Sequence, residues 1–203
     1  MPRKPRLIFP GAVYHITVRG NNQQKIFKSL ADYLKYIRIL REAKKLFRFK
    51  LYAFVLMPNH IHLFIAPSEI ASISQIMQKI NLNYTKYFNH KHKCSGHLFQ
   101  GRFYSSLITN ESYFWVVSRY IHLNPVRAKL CQHPADYRWS SYSAYCQIEY
   151  KDDLVDRDEL LNFLSANLSL EQKIIEYKKF VEEGIGLKED YFESLAKELK
   201  LVD

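Results

Sequence analysis

The apolar positions of this chain change period several times, and each change marks an element. Val13 to Val18 is rich in strand-forming residues and runs into Arg19-Gly20-Asn21-Asn22, a turn signal. From Asp32 to Phe47 the apolar residues Leu34, Ile37, Leu40, Ala43, Leu46 and Phe47 recur at helical spacing. Lys50 to Met57 and His60 to Ala66 are strand-like runs joined across Pro58-Asn59, which predicts a hairpin. Ser72 to Phe88 returns to the helical period, with Ile73, Ile76, Met77, Ile80, Tyr84 and Tyr87 on one stripe. His90 to Gly101 is a polar loop and Arg102 to Thr109 a fourth strand. Asn110 then caps a third helix that passes through Trp115 and Tyr120 toward Asn124, where Pro125 stops or kinks it. The order β-α-β-β-α-β-α predicts an α+β, ferredoxin-like core: a central antiparallel sheet with helices on one face.

Past residue 150 the pattern is helical and discontinuous. Leu154 to Asn167, Leu170 to Glu182 and Tyr191 to Leu201 have helical spacing, and Gly184-Ile185-Gly186 breaks the run. The reading divides the chain into a body, 1–150, and a helical C-terminal appendage, 151–203. With 203 residues, 47% of them hydrophobic, the chain is long and apolar enough to bury a core and is not a disordered sequence.

Charge sharpens that division. Residues 1–150 hold 22 Lys/Arg against 6 Asp/Glu, or +16, whereas residues 151–203 hold 8 against 14, or −6. A body this basic, in a chain with fifteen tyrosines available to stack on bases or bond phosphates, is the footprint of nucleic-acid binding. The acidic appendage fits three roles: a helical unit packed on the body, an oligomerisation element, or an electrostatic mimic of DNA over the basic face. Cys94, Cys131 and Cys146 are an odd number without Cys-x-x-Cys spacing, which predicts a reducing cytoplasm. The first residues lack the apolar core of a signal peptide. Leu51 to Ser68, the longest uncharged run, is broken by Pro58, Asn59 and two histidines, so no membrane span is expected.

Candidate chemistry concentrates at two places. His60-Ile61-His62 lies inside an apolar strand, and because strand side chains alternate, both imidazoles share a face while Ile61 and Leu63 point to a core. Two imidazoles on a rigid strand are half of a metal coordination sphere; they are equally what a strand with two half-buried histidines presents. Sixty residues on, Tyr120 and Asn124 are four apart on the third helix and stand one turn from each other. A phenol and an amide oxygen then come together, the first a nucleophile that needs a cation to polarise its target, the second a hard ligand. The plain alternative is a core aromatic followed by a helix-terminal residue before Pro125.

Taken with their surroundings, these residues resemble a family. His60-Ile61-His62 matches the His-hydrophobe-His motif of the HUH single-tyrosine transposases, and Arg119-Tyr120-Ile121-His122-Leu123-Asn124-Pro125-Val126-Arg127-Ala128 is similar to their nucleophile helix. The segments Pro10 to Asn21, Gly96-His97-Leu98-Phe99-Gln100-Gly101-Arg102-Phe103 and Trp139-Ser140-Ser141-Tyr142 resemble the branch called REP-associated tyrosine transposases, linked to repetitive palindromes in bacterial genomes. The resemblance covers residues 5–146. It implies that Tyr120 attacks a phosphate of single-stranded, hairpin-forming DNA to give a 5′-phosphotyrosine and a free 3′-OH. It also implies a divalent cation, Mg²⁺ or Mn²⁺, on His60 and His62. Asn124 takes the place of a third ligand where many relatives carry the longer Gln. Candidate DNA contacts are Arg3, Lys4, Arg6, Arg19, Asn21, Gln100, Arg102, Arg119 and Arg127. The family further implies a monomer or a homodimer, cytoplasmic and nucleoid-associated when bound to DNA.

Three other readings compete. A DNA- or RNA-binding module without catalysis would fit the charge, but it has no need of His60, His62 and Tyr120 together. A metal-dependent hydrolase lacks the clustered carboxylates such sites use, since the body has six acids and none near His60. His90, His92, Cys94 and His97 lie close enough to suggest zinc, but their spacing matches no standard finger.

Overall fold

A computed structural model of the chain describes residues 11–163, 167–187 and 189–201. Strands Val13–Arg19 (β1), Lys50–Leu56 (β2), His60–Ala66 (β3) and Tyr104–Ile108 (β4) form one antiparallel sheet in the order β2-β3-β1-β4. That order, with helices Leu30–Phe47 (α1) and Ile73–His92 (α2) between the strands, is the ferredoxin-like arrangement.

The strand interiors alternate as the pattern requires. Ile61, Leu63 and Ile65 are fully buried on the face that α1 and α2 cover, while His60, His62 and Phe64 point to the other. That second face is where the fold departs from the expectation of helices on one side only. Phe64 needs cover, and Ser112–Arg127 (α3) supplies it: Phe114 meets Phe64 edge-on at 5.3 Å between ring centroids, and Tyr120 meets His62 at 5.8 Å. The sheet is therefore covered on both faces, and the histidines are trapped between sheet and helix.

Helix boundaries shift where tertiary contacts outweigh local signals. Helix α2 runs to His92, because Lys91 and His92 reach the buried Asp32 carboxylate at 2.7 and 3.2 Å, on the first turn of α1. The same carboxylate accepts the Lys28 and Ser29 backbone N–H groups at 2.8 Å, closing the α1 capping box. His92 is thus committed to Asp32, and Cys94 is exposed with its thiol on the His92 carbonyl. Helix α3 passes Pro125 and ends at Arg127: the proline has no N–H for the Ile121 carbonyl, but the turn closes beyond it with Ala128 N–H on Asn124 O at 2.9 Å.

The C-terminal residues pack on the body. Helix Arg157–Asn162 (α4) is shorter than the predicted 154–167: Asp156 is held outside the helix, where its carboxylate accepts from Leu51 N–H and pairs with Lys44, both at 2.7 Å, and 164–166 lie outside the described residues. Helix Leu170–Glu183 (α5) lies against α3 and buries Ile174, Tyr177 and Val181. Helix Glu189–Glu198 (α6) follows, burying Phe192, Leu195 and Ala196. Of the three roles open to this appendage, packing on the body is the one observed. Among the described residues no helix is long and apolar enough to cross a membrane.

Candidate active site

Three connections place His60. The two-residue turn Pro58-Asn59 closes with Met57 N–H on the His60 carbonyl at 2.8 Å. The segment after β1 then satisfies the turn's own carbonyls: Ile26 N–H donates to Pro58 O and Gly20 N–H to Asn59 O, each at 2.8 Å. Gly20 is required for this approach, because a Cβ there would sit 2.3 Å from Gln24 O. Finally, Asn59 Oδ1 lies 2.7 Å from His60 Nδ1. An amide oxygen only accepts, so His60 carries its proton on Nδ1 and leaves Nε2 as a lone pair.

Register brings a second strand to the same face. Thr17 pairs with His62, Arg19 with His60 and His15 with Phe64. His15 is wholly buried, lies within 15° of parallel to the His62 ring with centroids 5.0 Å apart, and places Nε2 2.9 Å from His62 Nδ1; Thr17 Oγ1 is 3.3 Å from the same nitrogen. The sequence reading missed His15 and Thr17. The alternation of β1 puts them on one face, but only the β1–β3 register shows that this face belongs to His60 and His62.

Tyr120 arrives from α3. Its ring is edge-on to both His62 and His15, at 5.8 and 5.9 Å, and only 4% exposed. Arg127 lies over the ring at 5.4 Å, and both Arg127 and Asn124 are within hydrogen-bonding reach of the phenol. Asn124 Nδ2 donates to the Tyr120 carbonyl at 2.7 Å, the i to i+4 relation expected on one helix face. Arg19, Met57, His60, His62, Tyr120, Asn124, Arg127 and Ala128 together line a cavity of about 240 Å³.

Electrostatics follow from burial between two arginines. Burial, helped by Arg19, lowers the His60 pKa to about 4, and burial followed by its neighbours' positive charge lowers His62 well below its ordinary value. Both are neutral imidazoles at pH 7, the form that binds metal. Burial raises the Tyr120 phenol above 10, while Arg127 and Arg19 oppose the shift by favouring the phenolate. The chain thus provides two imidazole nitrogens and an amide oxygen around a protonated phenol. Neutral N and O donors without a carboxylate fit a divalent cation that keeps positions open for phosphate oxygens. Among the described residues no group of three or more His, Cys, Asp or Glu is placed to hold a metal; Asn124 lines the same cavity as His60 and His62.

The other candidate contacts divide. Arg19, Asn21 and Gln100 gather on the His60 rim: Asn21 N–H donates to Leu98 O at 2.8 Å, Gln100 N–H donates to Arg19 O at 3.0 Å, and all three side chains are exposed. Arg102 is exposed just before β4. Arg119 is not at the pocket. One residue from Tyr120 is about 100° around a helix, and Arg119 is turned to the C-terminal helices, where its guanidinium stacks on Phe180 at 4.1 Å and donates to Tyr191 Oη at 2.7 Å. Arg3, Lys4 and Arg6 lie outside the described residues.

Comparison with known proteins bears on this geometry. The model of the family described as IS200-like transposase matches residues 9–124. No curated protein matches the chain. A solved structure described as a REP-associated tyrosine transposase bound to a REP hairpin is similar in fold, with a TM-score of 0.60 at 21% identity over 77% of this chain and 94% of that one. Another, a candidate transposase from Deinococcus radiodurans, has a TM-score of 0.39 at 15% identity, covering 58% of this chain and 93% of its own.

Proposed function

This chain belongs to the IS200-like transposase family, and from that premise we propose that it cleaves and rejoins single-stranded DNA at hairpin-forming palindromes through Tyr120. The observation that carries the proposal is the 240 Å³ cavity in which the Tyr120 phenol, His60 and His62 meet between Arg19 and Arg127. The family sequence match spans all three of Tyr120, His60 and His62.

In the proposed reaction Tyr120 Oη bonds to a backbone phosphorus as the bond from phosphorus to the 3′ oxygen breaks. The phenol proton passes to water, the released 3′ oxygen takes a proton from water, and the DNA is left joined by its 5′ phosphate to Tyr120. Reversal with the same or another 3′-OH rejoins the strand without an external energy source. Arg127 favours the phenolate and, with Arg19, meets the phosphate's negative charge. Asn124 and Arg127 hold the phenol at the cavity. His60, His62 and Asn124 would hold a divalent cation, Mg²⁺ or Mn²⁺, which supplies neutralisation of phosphate charge when bound. All these groups come from one chain, so a monomer suffices.

A hairpin is the preferred substrate for two reasons: the +16 body demands a polyanion, and the solved structure of like fold is described with a REP hairpin. The test is incubation of the full chain with end-labelled hairpins bearing single-stranded flanks, with Mn²⁺, Mg²⁺ or EDTA. Divalent-dependent cleavage in a single-stranded flank supports the proposal. Binding without cleavage of any palindromic strand in either metal would favour the non-catalytic binder.

A further inference from the structure

We infer that His15 is a positioning residue for the metal site: its Nε2 accepts the proton of His62 Nδ1 and so presents His62 Nε2 to the cation. The inference rests on the reading of His60 and His62 as metal ligands.

The two ligand histidines are anchored in parallel ways. His60 Nδ1 lies 2.7 Å from an oxygen that can only accept, Asn59 Oδ1, so its tautomer is determined. His62 Nδ1 lies 2.9 Å from His15 Nε2. Of the two nitrogens in that contact, one donates and the other accepts. If His15 donated, His62 would carry its proton on Nε2 and have no lone pair for a cation. With His62 donating, both ligand histidines carry Nδ1–H and offer Nε2. Thr17 supports this direction: its hydroxyl proton is directed to the Leu201 carbonyl at 3.4 Å, leaving the oxygen, 3.3 Å from His62 Nδ1, to share that proton as an acceptor.

The remaining nitrogen of His15 reinforces the argument. His15 Nδ1 is buried with no hydrogen-bond partner among the described residues, and so is the hydroxyl of Ser106, its cross-strand neighbour on β4. A buried, half-satisfied imidazole costs stability that a phenylalanine in this aromatic layer would not. An outer partner that orients a metal-binding imidazole accounts for a histidine here, whereas packing alone does not. The two rings are within 15° of parallel with centroids 5.0 Å apart, so the hydrogen bond that fixes the His62 tautomer also fixes its plane.

The test titrates the metal-free full chain with Mn²⁺ alone, following free ion by electron paramagnetic resonance, with thermal unfolding of the same metal-free samples. Wild type is expected to bind one Mn²⁺ that His62→Ala loses. His15→Phe should weaken that binding about 10- to 100-fold while the metal-free unfolding midpoint holds or rises. His15→Gln, whose amide oxygen can accept from His62 Nδ1, should restore most of the affinity. Wild-type affinity in a folded His15→Phe, with His62→Ala still defective, would overturn the role of His15 and leave the metal-site reading standing. No His62-dependent Mn²⁺ binding in wild type would overturn both. Should His15→Phe not fold, ¹⁵N nuclear magnetic resonance of the wild-type imidazoles decides: protonated Nδ1 and bare Nε2 on His62 are expected, and a proton on Nε2 would refute the inference.

Discussion

Tyr177→Phe removes one oxygen from a chain of hydrogen bonds that ties the C-terminal helices to the helix bearing Tyr120. Phe54 N–H donates to Ser141 Oγ at 2.9 Å, and the Ser141 hydroxyl gives its one proton to His122 Nε2 at 2.8 Å in preference to the more distant Phe54 carbonyl at 3.2 Å. His122 Nδ1 lies 2.8 Å from Tyr177 Oη, which donates to Ser118 Oγ at 2.8 Å, which in turn donates to Trp115 O at 2.8 Å. Each hydroxyl has one proton, so Ser118's commitment to Trp115 makes Tyr177 the donor to Ser118 and the acceptor from His122. Burial holds His122 neutral, with a pKa of about 3, so its Nδ1–H cannot be relieved by titration near neutrality. The substitution strands that N–H in a wholly buried position, costing about 1–3 kcal/mol, and removes a bond to Ser118 worth about 1 kcal/mol. The expected loss is about 2–4 kcal/mol, or about 4–16 °C in Tm for a chain of this size. Urea unfolding followed by circular dichroism measures it. A destabilisation under about 0.5 kcal/mol would refute the assigned direction of the chain, since it would mean His122 was never relying on Tyr177.

Removing residues 151–203 should unfold the body instead of freeing its basic face: the truncation strips Leu160, Leu161, Ile174, Tyr177 and Val181 from a shared core, and a cooperative melt of residues 1–150 would contradict this. Gly20→Ala should destabilise by about 1–3 kcal/mol, seen as a lower urea midpoint, because its Cβ would meet Gln24 O. Stability should be fully present above pH 6.5 and fall progressively toward pH 3, by up to about 1.4 kcal/mol per pH unit for each buried histidine, since unfolded His15, His62 and His122 bind protons that the folded chain refuses; a flat urea midpoint from pH 7 to 5 would exclude it. Arg127→Ala should move the alkaline limb of the cleavage profile to higher pH, because Arg127 is the main group opposing the rise of the Tyr120 pKa, whereas Arg119→Ala should lower stability and leave that limb in place.

Much of this was legible along the chain. The hairpin at Pro58-Asn59 could be read because turn and strands are contiguous, and β3 begins and ends where the pattern puts it. The i to i+4 pairing of Tyr120 and Asn124 is a property of one helix. What escaped the sequence depends on partners distant in it. The extra turn of α2 exists because Asp32, sixty residues earlier, receives Lys91 and His92. The placement of α3 on the far side of the sheet follows from the need to cover Phe64, which shares its face with the histidines. His15 looks like any strand residue until the β1–β3 register sets it diagonally beside His62. Arg119 shares a motif with Tyr120 but not a direction, and a motif does not encode direction.

The central claim is that Tyr120 is the nucleophile, and the most direct measurement is mass spectrometry of protease-digested protein after reaction with a labelled single-stranded hairpin and Mn²⁺. The predicted result is an oligonucleotide joined by its 5′ phosphate to the peptide containing Tyr120, absent in EDTA and absent from a folded, hairpin-binding Tyr120→Phe. An adduct that persists in Tyr120→Phe, or that maps to another tyrosine, would contradict the account.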